Sequence, residues 1–406
     1  MDFDDTPEQA AFRAACVDWL DANAERRPAE GSAETWKGFR PRTPEEDAAA
    51  LSSAKEWQLT KADAGYAGIQ WPTADGGRGL SPRHAAIFKE CEARYDVPAN
   101  YFQVGVDMVG PTLIAHADDH QRERHLEGTR RGEQVWCQLF SEPGAGSDLA
   151  GLRTRGVRDG DELVIDGQKV WTTGAHQSDW AITLVRTDPD APRHAGISYV
   201  LVDMTTPGIE VRPLRQIDGA IHFNEVFLTE VRVPLSNVVG GLGGGWRVAM
   251  TTLTAERSAI GGGGMVQFDE VLQLARTMGV SGDPVMRQRL AQLATMFELT
   301  RLMGCRVQTS LDQGRQPGPE SSVMKLHISR QYEMGGDLLE SIMGAAGMLW
   351  ADDAPHEGFF QGVFLAQWAP RIGGGTDQIQ RNIVGERVLG LPKEPVTEPA
   401  RPTRAS

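Results

Sequence analysis

Residues 136 to 150 of this 406-residue chain read Trp-Cys-Gln-Leu-Phe-Ser-Glu-Pro-Gly-Ala-Gly-Ser-Asp-Leu-Ala. An apolar run leads into a loop that carries Gly144, Gly146 and two hydroxyl side chains, Ser141 and Ser147. Backbone N–H groups and hydroxyls that crowd into so few residues suit a ligand with many acceptor oxygens. The alternative is a loop that merely joins a helix to a sheet. The stretch also marks where the hydrophobic period of the chain changes.

The segment before this stretch has a helical period, and we predict an N-terminal helical domain over residues 1–132. Near its start, Phe12, Cys16 and Trp19 recur at helical spacing. Thr6 is the expected N-cap of this helix and Pro7 its first residue, since both residue types favour these positions.

The segment after the stretch consists of short β-branched or aromatic runs that Gly, Asp and Pro separate. Such runs are typical of antiparallel strands. We predict a β domain over residues 133–243, with strands at 161–173, 180–186, 197–204, 209–213 and 224–228.

The remainder of the chain returns to a helical period, with a predicted C-terminal helical domain over residues 244–392 and a flexible tail over 393–406. The order of helices, strands and helices predicts an α+β fold. The long helices are expected at 246–278, 283–313, 320–349 and 376–389.

A second motif lies in the predicted strand that contains Trp171 and Thr173. Residues two apart in a strand face the same side. An apolar plane beside a hydroxyl suits a flat heteroaromatic ring, although a tryptophan in a strand is more often a core residue. His176, which follows, lacks a visible acid/base partner and is interpreted as structural.

A third motif, Gly373-Gly-Gly-Thr376, precedes a predicted helix that Thr376 can cap. Glycines before a helix N-terminus let a phosphate or carbonyl oxygen approach backbone N–H groups closely. In isolation, a flexible hinge before a capped helix explains the pattern equally well.

Composition excludes several classes of function. The formal net charge is −14, which disfavours nucleic acid and anionic membrane surfaces as partners. No apolar run approaches the roughly 20 residues that cross a bilayer, and the acidic N-terminus does not resemble a targeting signal. We therefore expect a soluble, cytosolic protein. The four widely spaced cysteines predict reduced thiols and no metal site; they are Cys16, Cys91, Cys137 and Cys305.

In this order and spacing the motifs resemble those of the acyl-CoA dehydrogenases, and the resemblance covers nearly the whole chain. The matching strings begin at Phe140, Gln168, Phe223 and Gly375. The resemblance implies an N-terminal α domain, a central β domain and a C-terminal four-helix bundle. It also implies FAD as cofactor and an acyl-CoA thioester as substrate, which would be converted to the trans-2-enoyl-CoA.

The resemblance implies roles for individual residues as well. Phe140 and Ser141 would meet the flavin ring, and Ser147 would lie on the pyrophosphate and substrate side. Trp171 would pack against the isoalloxazine and Thr173 would hydrogen-bond near its reactive nitrogen. The positions that contact FAD from the C-terminal domain are Arg276, Thr376 and Gln378.

The chain departs from the commonest family pattern at the catalytic base. Many relatives carry a glutamate where this chain has Gly374, whose backbone N–H would still polarise the thioester carbonyl. A subset of the family takes the base from the first long C-terminal helix, and Glu256 is the residue that matches. Arg257 would be a structural or substrate-side neighbour. Without the resemblance, a Glu-Arg pair on a helix is usually a surface feature.

The run Gly261-Gly-Gly-Gly264 lies in the same helical pattern. Four glycines in a helix each cost roughly 1 kcal/mol against alanine, so either the helix breaks there or side chains are absent to accommodate an acyl group. At the adenosine end, Ser341 and Ala345 replace positions that often hold Gln and Gly, which implies a different set of FAD contacts.

Several properties come from the family alone. The resemblance implies an electron-transfer flavoprotein as acceptor and a homo-tetramer or homo-dimer, with a hetero-oligomer as a further possibility. Two alternatives to the dehydrogenase remain. The chain could be a non-catalytic partner subunit of a hetero-oligomeric enzyme, or a flavin oxidase or monooxygenase on the same fold.

Overall fold

A computed structural model describes residues 5–27, 42–260, 266–313, 315, 318–319 and 321–393. Its first part is helical, as expected. Thr6 caps the first helix, and its Oγ1 accepts a hydrogen bond from the Gln9 N–H at 3.2 Å, which confirms the predicted start at Pro7. The elements up to residue 131 are α1 (Pro7–Asn23), β1 (Glu25–Arg26), α2 (Pro44–Asp63), α3 (Pro82–Glu92), β2 (Tyr95–Asp96), α4 (Gly110–His116) and α5 (Asp119–Arg131).

The middle part of the chain forms an eight-stranded sheet. The predicted antiparallel pairing holds for most neighbours, but the strands Trp136–Leu139 and Arg155–Asp159 both pair in parallel with the strand Trp180–Arg186. The strands are β3 (Trp136–Leu139), β4 (Arg155–Asp159), β5 (Glu162–Thr173), β6 (Trp180–Arg186), β7 (Ile197–Asp203), β8 (Ile209–Leu214), β9 (Phe223–Pro234) and β10 (Val238–Val239).

Two irregularities interrupt the long antiparallel pair of β5 and β9. Each strand carries one extra residue, between Lys169 and Thr172 on β5 and opposite Ile165–Gly167 on β9. Trp171 (φ 61°) and Glu230 (φ 49°) lie at these points and are both left-handed. These are the features of β-bulges, which re-aim side chains locally.

The C-terminal part differs from the predicted helix boundaries. The single helix expected over 246–278 is two helices, since Val266 and Gln267 are not helical and Gln267 caps the second one. The run Gly261–Gly264 lies outside the described residues. The helix expected to reach residue 349 ends at Met343 and continues as a 3-10 turn. The elements are α6 (Gly245–Ile260), α7 (Phe268–Thr277), α8 (Pro284–Asp312), α9 (Ser321–Met343), α10 (Phe359–Ala366), α11 (Ala369–Ile372) and α12 (Asp377–Ile383).

Helix α6 packs against the sheet and the N-terminal helices. Val248 and Ala249 are fully buried in the same core as Tyr199 of β7 and Leu113 of α4. The helices α7 to α10 share a separate core, which includes Leu293 and Phe360. The helices α7 to α10 therefore have their own hydrophobic centre, while α6 belongs to the core of the sheet and the N-terminal helices.

Buried hydroxyls fix α6 against α4 and β7. The Thr252 Oγ1 lies 2.9 Å from the Thr112 Oγ1 and 3.2 Å from the Tyr199 hydroxyl, and all three residues are inaccessible to solvent. Buried hydroxyls without partners would cost about 1–3 kcal/mol each. The cluster therefore ties α4, α6 and β7 together one turn before Glu256.

Three cysteines, Cys16, Cys91 and Cys137, are buried, and all four are free thiols. Burial raises the pKa of Cys137 to about 12, which keeps this thiol protonated. Within the described residues every helix is too short or too polar to span a bilayer.

A buried ion pair joins the loop after β3 to the sheet. Lys169 of β5 is fully buried, and its Nζ donates to the Glu142 carboxylate at 2.8 Å and to the carbonyls of Leu184 (2.8 Å) and Phe140 (3.1 Å). These three acceptors match the three donors of an ammonium group. The Glu142 carboxylate also accepts the N–H groups of Arg153 and Thr154, at 2.7 and 2.9 Å.

Burial and charge oppose each other in this pair. Burial lowers the pKa of Lys169 to about 8, although the Glu142 carboxylate raises it. Burial raises the pKa of Glu142, but the charge and hydrogen bonds of Lys169 outweigh this and hold it below its usual value. The three acceptors around the Lys169 ammonium and the donors around the Glu142 carboxylate favour the ionised form of both groups.

Replacing Gly245 tests how closely α6 docks on the sheet. A Cβ there would overlap the backbone of Ser198 and Tyr199, whereas an added Cβ at Gly304 of α8 has no neighbour within 4 Å. Gly245→Ala should lower the free energy of unfolding by about 1–3 kcal/mol through overpacking. The control Gly304→Ala should raise it by up to about 1 kcal/mol. Denaturant unfolding measures both, and an unchanged midpoint in Gly245→Ala would contradict the close docking.

Removing the Lys169 ammonium tests the buried pair. Lys169→Met leaves the Glu142 carboxylate buried without its counter-charge, and should destabilise the protein by about 3–5 kcal/mol. Adding Glu142→Gln should recover part of that loss because the uncompensated charge disappears.

The control is Lys89→Met, which breaks a solvent-exposed pair with Asp107 and should change stability by at most about 1 kcal/mol. Equal losses in Lys169→Met and Lys89→Met, measured by denaturant unfolding, would show that the buried pair has no special weight.

Candidate functional site

The loop after β3 runs beside the bulged part of β5. The Ser141 carbonyl accepts the Val170 N–H at 2.9 Å, which places Ser141 next to Trp171. The Phe140 side chain is buried in the core with its ring edge-on to Tyr199, at a centroid distance of 6.0 Å. The Phe140 side chain therefore points into the core, and its contact with a flavin ring stays a prediction.

The glycine-rich part of this loop closes on itself and faces solvent. Glu142 and Ala145 exchange two backbone hydrogen bonds, of 2.9 and 3.0 Å. An added Cβ at Gly144 or Gly146 would meet nothing within 4 Å, and Ser147 is exposed. The loop therefore offers backbone groups and one hydroxyl to an open space.

Trp171 is presented to solvent by the bulge in β5. Its side chain is 62% exposed, and its ring meets Phe223 edge-on at 6.0 Å. A left-handed backbone costs a non-glycine residue about 1–2 kcal/mol, and such strain concentrates at functional sites. Thr172 is buried, so that Trp171 and Thr173 share the exposed face. This face combines an apolar plane with a hydroxyl.

The loop before α12 carries the third motif. Gly374 and Gly375 both have a left-handed φ, of 62° and 84°. The Thr376 Oγ1 accepts the Ile379 N–H at 3.2 Å, which confirms the predicted cap, and Gln380 donates to the Gly374 carbonyl at 3.1 Å. The helix is shorter than predicted, because it changes to a π-helix at Val384. Gln378 is exposed on its first turn.

Asp377 anchors this helix to α9. Its buried carboxylate accepts hydrogen bonds from Lys325 Nζ at 2.9 Å and Ser329 Oγ at 2.8 Å. Burial raises the pKa of Asp377, but these hydrogen bonds and the Lys325 charge outweigh burial, and the pKa lies below its usual value. The glycine loop therefore ends at a fixed helix start.

Glu256, the predicted base, is half-buried on α6, one turn after the hydroxyl cluster around Thr252. Arg257 follows it on the same helix, and its side chain lies outside the described residues. Arg276 is exposed in the last turn of α7.

The structure brings some of these residues together directly. One backbone hydrogen bond and the Lys169–Glu142 pair unite the loop at Ser141 with Trp171 and Thr173. Glu256 and Gly374 belong to separate elements, α6 and the loop before α12. Their convergence on one substrate carbon stays a prediction.

Sequence reasoning missed the residues that support the site. By strand alternation Lys169 lies on the same face as Leu163 and Ile165, and a lysine on such an apolar face needs a carboxylate partner. That signal, together with Glu142 in the neighbouring loop, could have identified the pair. The left-handed Trp171 and the contact of Gln380 with Gly374 leave no comparable trace in the sequence.

Three family models match consecutive parts of the chain. The acyl-CoA dehydrogenase N-terminal domain matches residues 6–133, the middle domain residues 137–231, and the C-terminal domain residues 243–389. These matches follow the observed order of helices, sheet and helices.

Individual relatives agree with these matches. Acyl-CoA dehydrogenase IpdE1 of Mycobacterium tuberculosis is 39% identical, over 94% of this chain and 98% of its own length. The solved structure titled Tcur3481-Tcur3483 steroid ACAD has a TM-score of 0.80 at 27% identity, covering 97% of this chain and 100% of the solved one. The ChsE4-ChsE5 complex from Mycobacterium tuberculosis has a TM-score of 0.77 at 27% identity, with the same coverage. The chain belongs to the acyl-CoA dehydrogenase family of flavoprotein oxidoreductases.

Proposed function

We propose that this chain binds FAD and uses it to dehydrogenate an acyl-CoA thioester between its α and β carbons. The observation that carries the proposal is the exposed, backbone-strained Trp171 beside Thr173 and the open glycine loop. Backbone strain and an exposed large aromatic side chain are both features of ligand-binding sites.

The residues present fit FAD. The plane of Trp171 suits a flat isoalloxazine ring, and the Thr173 hydroxyl suits a ring nitrogen or oxygen at its edge. The open N–H groups around Gly144 and Gly146, with Ser147, suit phosphate oxygens. Contacts from the C-terminal part are proposed for Arg276, Thr376 and Gln378. Bound FAD supplies the acceptor for the hydride that leaves the β carbon.

The chain itself supplies a base and a carbonyl donor. The Glu256 carboxylate takes the α-proton and becomes a carboxylic acid, while the electrons of the broken α C–H bond form the new double bond. The Gly374 N–H donates to the thioester oxygen, where negative charge develops. Arg257 and Ser147 are the proposed substrate-side residues, and an electron-transfer flavoprotein is the proposed electron acceptor.

We further propose that the chain works as an oligomer. Several apolar side chains of the C-terminal part are exposed, among them Met348 (84%) and Ile372 (68%), and neighbouring subunits would cover them. The titles of both solved relatives name two different proteins, and one title calls the pair a complex. These titles support a hetero-oligomer as an alternative to the homo-tetramer or homo-dimer.

Trp171→Gly tests the flavin platform, with Glu230→Gly as a geometric control from the opposite bulge. Both changes relieve a left-handed backbone worth about 1–2 kcal/mol and add glycine flexibility worth about 0.5–1 kcal/mol. The apoproteins should therefore unfold at or slightly above the wild-type midpoint.

Only Trp171→Gly should weaken FAD binding. Stacking on an aromatic side chain is worth about 1–3 kcal/mol, and about 1.4 kcal/mol is a factor of ten, so the dissociation constant should rise about tenfold or more. Fluorescence titration of apoprotein with FAD measures this. The same FAD affinity in both variants would reject Trp171 as the platform.

Glu256→Gln tests the base, because glutamine keeps the shape but cannot accept the α-proton. FAD content should stay normal, while anaerobic flavin reduction by acyl-CoA should fall about 10²–10⁴-fold. Adding Gly374→Glu should restore part of the rate, limited by the strain of a side chain at this left-handed position.

The control is Glu123→Gln, which replaces an exposed glutamate on α5. Its flavin should be reduced by acyl-CoA at the wild-type rate. The substrate comes from a panel of acyl-CoA thioesters, in which the relative titled a steroid ACAD supports including ring-bearing acyl groups. Near-normal reduction in Glu256→Gln would assign the base to another residue.

The same measurements separate the two alternatives. A purified chain that binds FAD, but whose flavin is reduced by no thioester of the panel, would favour a non-catalytic partner subunit. Release of peroxide under air, without an artificial acceptor, would favour a flavin oxidase or monooxygenase.

A further inference from the structure

The peptide group between Gly374 and Gly375 has little intrinsic resistance to rotation. Both glycines have a left-handed φ, and glycine adopts positive and negative φ about equally readily. A peptide between two glycines can therefore turn over without a side-chain clash. Such a flip exchanges the directions of its carbonyl oxygen and its N–H, because the unit is planar and trans.

The Gln380 side chain contacts this peptide from α12. The side chain is 2% exposed, and its Nε2 donates to the Gly374 carbonyl at 3.1 Å. A Cβ built on Gly375 would lie 2.6 Å from that Nε2, so the amide and the loop are in close contact. Because Asp377 fixes the start of α12 through Lys325 and Ser329, Gln380 approaches the loop from a fixed position.

We propose that Gln380 is a positioning residue that prevents this peptide from turning over. Its hydrogen bond holds the Gly374 carbonyl toward α12, which directs the Gly375 N–H to the opposite side of the loop. The inference rests on the proposed function, in which this loop polarises the thioester carbonyl. With the peptide held, the Gly375 N–H is a second donor to the thioester oxygen beside the Gly374 N–H; with the peptide flipped, that oxygen meets the Gly374 carbonyl oxygen, which repels the developing negative charge.

The consequence is kinetic more than structural. Loss of one hydrogen-bond donor to a developing oxyanion typically lowers the rate about 10²–10³-fold. A peptide that is flipped in only part of the molecules lowers the rate by less. Gln380→Met removes the donor while keeping the size of the side chain. Flavin reduction should fall about 10–100-fold, with a much smaller change in acyl-CoA affinity.

The chain offers a matched control in Gln361 of α10. Gln361 is 3% exposed, and its Nε2 also donates to a backbone carbonyl, that of Ala346, at 3.1 Å. In both glutamines the Oε1 is buried without a hydrogen-bond partner. Gln361→Met should therefore reproduce the effect on stability but not the effect on the reaction.

The experiment compares the FAD-loaded wild type, Gln380→Met and Gln361→Met. It measures FAD content, the unfolding midpoint, the rate constant of flavin reduction, and the carbonyl stretching frequency of a bound enoyl-CoA by Raman difference spectroscopy. We expect a lowered, polarised carbonyl frequency in wild type and Gln361→Met, and a frequency closer to that of free thioester in Gln380→Met.

Equal rate losses in the two variants would overturn the role of Gln380. A carbonyl frequency in Gln380→Met as low as in the wild type would overturn it too. Wild type that polarises the carbonyl but reduces no flavin would instead overturn the proposed function alone. Should Gln380→Met fail to fold, Gln380→Glu gives the answer, since a carboxylate has no proton to donate and a carboxylic acid has one. Polarisation should then return as pH falls through the pKa of the new carboxyl, and a frequency independent of pH would overturn the proposal.

Discussion

The buried ion pair between Lys169 and Glu142 is the constraint on which the candidate site depends. A charged ammonium inside a sheet is tolerated only because a carboxylate and two backbone carbonyls accept hydrogen bonds from all three of its N–H groups. The carboxylate in turn holds the backbone of Arg153 and Thr154. One pair therefore fixes both ends of the glycine loop against β5, and the loop can stay open to solvent without becoming disordered.

The bulges of β5 and β9 show how a regular sheet gives rise to a functional surface. Glu230 and Trp171 occupy equivalent strained positions. Exposure costs a charged glutamate side chain little free energy, whereas an exposed tryptophan ring loses the free energy that its burial would contribute. Only a ligand that covers the ring restores that benefit. Strain in the backbone and an uncovered aromatic surface therefore coincide at Trp171, which is the pattern expected of a binding platform.

Much of the fold follows from local sequence patterns. Strand runs and helix caps such as Thr6 and Thr376 depend on neighbouring residues, and the structure confirms them. The break before α7 and the early end of α9 both run against the helical periodicity of the sequence; α9 ends where Gly344 adopts a left-handed φ of 57°. Asp377 and Gln380 act through partners at least six residues away, which no local pattern identifies.

The central claim is that the face formed by Trp171, Thr173 and the loop after β3 holds the isoalloxazine ring of FAD. An experimental structure of the FAD-loaded protein is the most direct test. The account predicts the ring packed against the Trp171 plane, with the Thr173 hydroxyl in hydrogen-bond distance of its edge and the phosphates beside Ser147. A flavin bound elsewhere, with Trp171 still exposed to solvent, would contradict it.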